Sequence, residues 1–213
     1  MDFSMMDDVQ LASIVDEVRR EQKLRAGAMR VCESCRGQFA GNAKARFCST
    51  RCRVAAYRER IASMWTESGG FIGIGYEGIS GEELVKSLKG WGVDILVDVR
   101  LNAVSRKKGF SKRALSELLE ASGITYLHMP ALGNPKDNRG AYSEIDSAEG
   151  LAARATFSDR LADANATADI DRLAELATNH HVAVFCYEES ELNCHRREVL
   201  SAARDRLAEL VAA

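Results

Sequence analysis

Apolar positions along the chain fall into two regimes that meet near residue 68. In the first, Val9, Leu11, Ile14, Val15 and Val18 recur at helical spacing within 7–24 and predict an amphipathic helix, a packing or homodimerisation element without chemistry of its own. The segment that follows it has too few apolar residues for a core. Beyond the breaker Glu67, Ser68, Gly69, Gly70 the pattern changes. Short apolar runs predict strands over 71–75, 93–99, 124–129 and 182–187. Between and after them lie helical stripes: Leu84, Val85 and Leu88 within 81–89, and Leu115, Leu118 and Leu119 within 111–121. Two Ala-rich segments follow at about 148–165 and 169–179, then a last helix that turns Val199, Leu200, Ala203, Leu207 and Leu210 inward. Repeated strand-helix units predict an α/β domain over 69–213: a mostly parallel sheet with helices on both faces, a Rossmann-like three-layer arrangement. A separate small module is expected over 1–68.

Composition narrows the function classes. Of the 213 residues, 46% are hydrophobic and 28% charged, which suits a packed globular protein and not a disordered one. No apolar run approaches the roughly 20 residues of a membrane span, and the acidic first ten residues do not resemble a signal peptide. A cytoplasmic protein with no membrane partner is the expectation. The net charge of -2 offers no whole-chain case for a polyanion, but its distribution does. Residues 30–60 hold eight basic and two acidic side chains, whereas 141–213 hold seven and fourteen. This asymmetry points the first part toward nucleic acid, most simply DNA; a basic face that is merely solvated is the alternative.

Four of the six cysteines lie in that basic segment. Cys32 and Cys35 are separated by two residues, Cys48 and Cys52 by three, and twelve residues stand between the pairs. The first spacing forms a tight knuckle and the second places two thiols one helical turn apart, so the four suit a structural Zn2+. Two disulfides are the competing reading, disfavoured in a reducing compartment. The run around Phe47, Cys48 and Ser49 resembles the Phe-Cys-Ser type of short zinc finger, over about thirty residues. The finger helix would present Arg51, Arg53, Tyr57 and Arg58, with Arg46 just ahead, to phosphates or stacked bases. A protein-docking or purely structural module is the alternative.

In a parallel sheet the groove lies at the carboxyl ends of the strands. Side chains two apart on a strand share a face, so Asp98 points with Arg100 and Cys186 with Glu188, and both pairs are expected on one rim. Tyr76, Glu77, Tyr126 and His128 also end strands. Asn193 is the expected N-cap of the last helix. The helix dipole there opposes His195, Arg196 and Arg197, so an anion or the carboxylates Asp98 and Glu188 should face them. Cys194 in that setting should have a lowered thiol pKa. The irregular stretch 130–149 suits a lid or binding loop. Basic residues after the second strand, Lys107 and Lys108 among them, would add a cationic wall.

These segments carry a resemblance. Ile74 to Gly78, Leu96 to Arg100 followed by Ser105 and Phe110, Gly123 to Tyr126 followed by Leu132 and Gly133, and Phe185 to Glu188 followed by Cys194 to Arg196 resemble the domain-of-unknown-function 488 family over about 71–207. Two departures stand out: Asn102, Ala103 and Val104 occupy a place where relatives often carry a proline before the serine, and many relatives lack the zinc module. The resemblance implies a compact α/β domain with one polar cleft, and some relatives occur in DNA-repair and modified-base contexts.

The combined expectation is a nucleic-acid-associated enzyme acting on DNA, a nucleotide or a modified base, hydrolase or glycosylase-like. Asp98, Glu188, His195 and Cys194 are the candidate catalytic residues. Tyr76, Glu77, Arg100, Ser105, Tyr126, His128, Cys186 and Arg196 are candidates for substrate binding. A thiol enzyme using Cys194 or Cys186, and a non-catalytic DNA-binding adaptor with a ligand-sensing cleft, are the alternatives.

Overall fold

The computed structural model of the chain describes residues 29–41, 45–49, 51–53, 55–56, 59, 69–142 and 144–212. The predicted helix over 7–24, with the dimer expected through it, and the expected contacts of Tyr57 and Arg58 lie outside these residues. The chain divides into two compact units, Met1–Arg60 and Ile61–Ala213.

In the first unit, strands β1 (Met29–Val31) and β2 (Gln38–Ala40) pair antiparallel, Arg30 opposite Phe39. Arg36 takes a left-handed backbone, φ 61°, in the connecting turn. Residues 51–53, 55–56 and 59 are helical. Cys32 alone is buried among the described residues of this unit.

The second unit is the α/β domain. Its strands β3 (Gly70–Gly75), β4 (Ile95–Asp98), β5 (Thr125–His128) and β6 (His181–Cys186) form one parallel sheet in the order β3-β6-β4-β5. The central strands β4 and β6 are apolar on both faces because both faces are covered, as parallel sheets require. Helices α1 (Gly81–Gly90) and α2 (Lys112–Glu120) bury Leu84, Leu88, Leu115 and Leu119 on the face of Ile72, Leu96 and Phe185. Helices α3 (Ala148–Leu161), α4 (Ala164–Ala177) and α5 (Arg196–Ala212) cover the other face, over Phe71, Val97, Val99, Val182 and Val184. Three layers result. No helix among the described residues is long and apolar enough to cross a membrane.

Two boundaries differ from the periodicity reading. Helix α4 begins at Ala164, not near 169, because Ala166, Ile170, Leu173, Ala174 and Ala177 form one buried stripe. Helix α5 begins at Arg196, and Asn193 closes a short 3-10 turn (Glu191–Asn193) instead of capping it. Cys194 is extended, φ -126° and ψ 140°, which lets its side chain and that of His195 turn into the protein before the helix starts.

Candidate functional site

The four cysteines of the first unit converge. Cys35 Sγ is 3.7 Å from Cys48 Sγ, Cys48 Sγ is 3.4 Å from Cys52 Sγ, and all four sulfurs lie within 4.8 Å of one another. Thiolates around a tetrahedral ion with bonds of about 2.3 Å stand about 3.8 Å apart. The donor set therefore fits a metal ion. Local structure prepares it: the Cys48 N–H points at Cys32 Sγ, and Ser49 Oγ accepts from the Cys52 N–H at the start of the helix. Burial opposes ionisation of Cys32, but the N–H groups of Cys35, Cys48 and Ser34 outweigh it and bring the thiol down to about 6. Cys48, against Cys52 and Cys35, is pushed up to about 12. Adjacent thiolates repel unless a cation joins them. Of the expected nucleic-acid contacts, Arg51 and Arg53 are exposed, while Arg46 is held by Glu33 in a two-pronged pair at 2.8 and 2.6 Å.

In the α/β domain, strand register decides which side chains meet. Asp98 stands beside Phe185 and His128, and Leu96 beside Tyr126, so these side chains share the face covered by α1 and α2. Cys186 follows Phe185 and faces the opposite way. Asp98 and Arg100 are thus not on the rim that carries Cys186 and Glu188, contrary to the expectation of a shared rim. Arg100 Nε and Nη2 donate to the two Asp98 oxygens at 2.8 and 2.6 Å, and Tyr126 Oη donates to Oδ2 at 2.7 Å. Asp98 is fully buried and Arg100 is 6% exposed. Arg100 also donates to Tyr76 Oη and to the Phe110 carbonyl, and Tyr76 donates to Ser105 Oγ while its ring packs against those of Phe110 and Phe185. Burial, then the Asp98 carboxylate, raises the Tyr126 pKa. For Arg100 burial pulls downward, and Asp98 more than offsets it. This is a closed ion-pair network.

A cleft of about 540 Å³ opens on the other face of the same sheet edge. Cys186, Glu188 and His195 line it, with Glu77 on one side and Asn134, Arg139 and Tyr142 on another. His195 Nδ1 is 3.8 Å from Cys186 Sγ and 4.0 Å from Cys194 Sγ, and its Nε2 meets the Val99 carbonyl at 3.2 Å. Cys186 Sγ is 3.5 Å from Glu188 Oε2. Burial works against the Glu188 carboxylate, but contacts with Cys194, its own backbone, His195 and Cys186 hold its pKa below the ordinary value. Burial, then Cys186, pushes the Cys194 thiol well up, the reverse of the expected direction.

Arg196 is absent from the cleft wall. It is 1% exposed, and its guanidinium donates to the carbonyls of Glu188 and Glu189, bracing the loop between β6 and α5 from within. Backbone carbonyls, and not Asp98, face the cation at the helix start. Across the loop, a Cβ at Gly75 would run into the Glu188 carbonyl, which is why glycine ends β3.

His128 meets the Arg100 carbonyl at 2.9 Å and lines a separate shallow pocket with Tyr126, Lys112 and Arg113. Lys107 Nζ donates to the Tyr76 carbonyl, and Lys108 is exposed. Asn134, Arg139 and Tyr142 were not singled out by the sequence. Only the length of the irregular stretch 130–149 marked them. There Arg139 forks onto the Asn134 carbonyl, while Tyr142 Oη donates to Glu198 at 2.6 Å and Arg154 pairs with Glu198 at 2.9 Å, fastening the loop to α5.

Neither the curated proteins nor the solved structures contain a match to this chain. The model of one family, described as "Domain of unknown function DUF488", matches residues 80–203, which take in β4, β5, β6 and the start of α5 with Asp98, Arg100, Cys186, Glu188 and His195. With more than half of its length matched, the chain belongs to the DUF488 family.

Proposed function

We propose that this protein is a nucleic-acid-associated hydrolase. In this reading the four-cysteine unit carries a structural Zn2+ and docks on DNA, while the cleft of the α/β domain hydrolyses a bond in a modified base or nucleotide. The observation that carries the reading is the cleft itself, a polar hollow at the carboxyl edge of a parallel sheet with a carboxylate on its floor and a cation in its wall. Glu188, the carboxylate that lines the cleft beside His195, is the base for a water molecule. Arg139 is the anion contact and Tyr142 the aromatic wall. Asp98 and Arg100 hold the sheet edge instead of touching substrate.

Zinc is the ion of choice because four thiolates in a tetrahedron match its softness and its indifference to geometry. When bound, it would supply folding energy to a unit in which Cys32 is the one buried residue among those described. Arg51 and Arg53 then stand on a helix whose start is fixed by a zinc ligand, as phosphate binding needs. Thiolate ligands persist in a reducing compartment, which favours the cytoplasm.

The test is a screen of the purified full chain against oligonucleotides and nucleotides carrying damaged or modified bases, read by mass spectrometry. A hydrolysed product that disappears with Glu188→Gln, while circular dichroism stays unchanged, is the expected result. Turnover that survives Glu188→Gln, or an unaltered library, overturns the reading. Docking is read separately by DNA affinity against salt, which Arg51→Ala with Arg53→Ala should weaken.

A further inference from the structure

We propose that the floor of the cleft is a second metal site, in which Cys186, Cys194 and His195 bind a zinc-class divalent ion with Glu188 beside it. The three donor atoms, two Sγ and one Nδ1, lie within 4.8 Å of one another, and all three residues are buried. The sulfur to nitrogen distances of 3.8 and 4.0 Å are close to the separation of about 3.5 Å between thiolate and imidazole ligands on one tetrahedral ion. An ion placed among them would draw each inward by a few tenths of an ångström.

The imidazole is already set for this role. Its Nε2 stands 3.2 Å from the Val99 carbonyl, which can only accept, so Nε2 carries the hydrogen and Nδ1 turns a lone pair toward the two sulfurs. A carbonyl behind the distal nitrogen is the usual support of a metal-bound histidine, since it fixes both tautomer and ring orientation. The Phe157 ring meets the imidazole edge-on, with centroids 5.2 Å apart, and limits its rotation.

The ligands come from rigid places. Cys186 ends β6, and Cys194 and His195 immediately precede α5, while the loop between them is braced by Arg196 on the Glu188 and Glu189 carbonyls. Three protein donors leave a tetrahedral ion one open position. Cys186, Glu188 and His195 all line the cleft, so that position opens toward it. Glu188 Oε2, 3.5 Å from Cys186 Sγ, is placed to ligate there or to accept a proton from a ligand that does. Two soft thiolates with an imidazole select zinc over the hard cations magnesium and calcium. The site differs from the four-cysteine cluster in this respect: that set is closed, and this one keeps a place for water or a substrate atom. Binding of the ion stands on this geometry alone; a hydrolytic role for it rests on the function proposed above.

Full-length protein, stripped with a chelator under reductant, is titrated with Zn2+ and then with Co2+. Two equivalents per chain are expected for the wild type. One equivalent that is lost with Cys32→Ser and Cys35→Ser overturns the proposal. Cys32→Ser with Cys35→Ser should keep one ion, and its cobalt complex should show weaker thiolate charge-transfer absorption than the four-cysteine site. Cys186→Ala with Cys194→Ala should lose one ion, and retention of two overturns the assignment. If that double variant does not fold, the milder His195→Asn is used, with binding of the second ion expected to weaken at least 10-fold. Metal bound in two equivalents with no turnover of any nucleic acid would refute the hydrolase and leave this site standing; turnover with one equivalent would do the reverse.

Discussion

Asp98 shows what a buried carboxylate needs around it. Its two oxygens are taken by Arg100 and Tyr126, and the pair is sealed by Tyr76 and Phe110. Removing one partner strands a buried charge, so Asp98→Ala should destabilise the domain by about 3–5 kcal/mol in urea denaturation. Replacing both partners, Asp98→Leu with Arg100→Met, should cost clearly less, and a double variant as damaged as the single one would contradict this account. A second residue-scale case is the capping box of α1, where Glu83 Oε2 accepts from the Ser80 N–H and Ser80 Oγ from the Glu83 N–H. The Ser80 backbone, then its hydroxyl, holds the Glu83 pKa below the usual carboxylate value. A depressed folded-state pKa contributes stability that is complete above the unfolded value of about 4.3 and is lost as pH falls through the folded one. The stability difference between wild type and Glu83→Gln should therefore be largest at neutral pH and shrink on acidification toward pH 3. Ser80→Ala should cost about 1 kcal/mol at pH 7.

At the scale of elements, the loop joining β6 to α5 matters most because it carries Glu188 and ends in Cys194 and His195. It is held from three directions: Arg196 on two of its carbonyls, Glu77 Oε2 on the Glu189 N–H, and the Glu77 N–H on the Tyr187 carbonyl. Arg196→Lys keeps the charge but cannot fork onto both carbonyls, and should cost about 1.5–3 kcal/mol. Gly75→Ala forces a methyl against the Glu188 carbonyl, with an expected loss of about 1–3 kcal/mol. Thermal melts of the two variants check both figures. Unchanged melting for Gly75→Ala would mean that the loop yields where the packing says it cannot.

On the scale of the whole molecule, the described residues of the two units differ in what they bury. Sheet and helices in Ile61–Ala213 bury apolar side chains on both faces, whereas Met1–Arg60 has Cys32 as its one buried residue among those described. Cys48→Ser should therefore abolish folding of the four-cysteine unit and release its ion, while the main cooperative transition persists. Calorimetry with elemental analysis reads both outcomes. If the main transition moved with the cysteine, the units would not be energetically separate.

What the sequence determined by itself was local in origin. Helical stripes such as Leu84 with Leu88 and Leu115 with Leu119, and the apolar strand Ile95–Asp98, depend on periods of 3.6 and 2 that are set within each element. The spacing of Cys32, Cys35, Cys48 and Cys52 was enough to anticipate a cluster, because a knuckle and one helical turn set most of its geometry. Tertiary structure decided the rest. Asp98 and Cys186 both end strands, and only the register of β4 against β6 shows that they face opposite layers. Arg196 begins the last helix, yet whether its cation meets a carboxylate, a ligand or backbone carbonyls depends on the path of a loop that no periodicity encodes. The same holds for Asn134, Arg139 and Tyr142, which reach the cleft from an irregular stretch through long-range bonds to α5. Periodicity reports which side of its own element a residue occupies; what it touches across the fold is set by the pairing of elements distant in sequence.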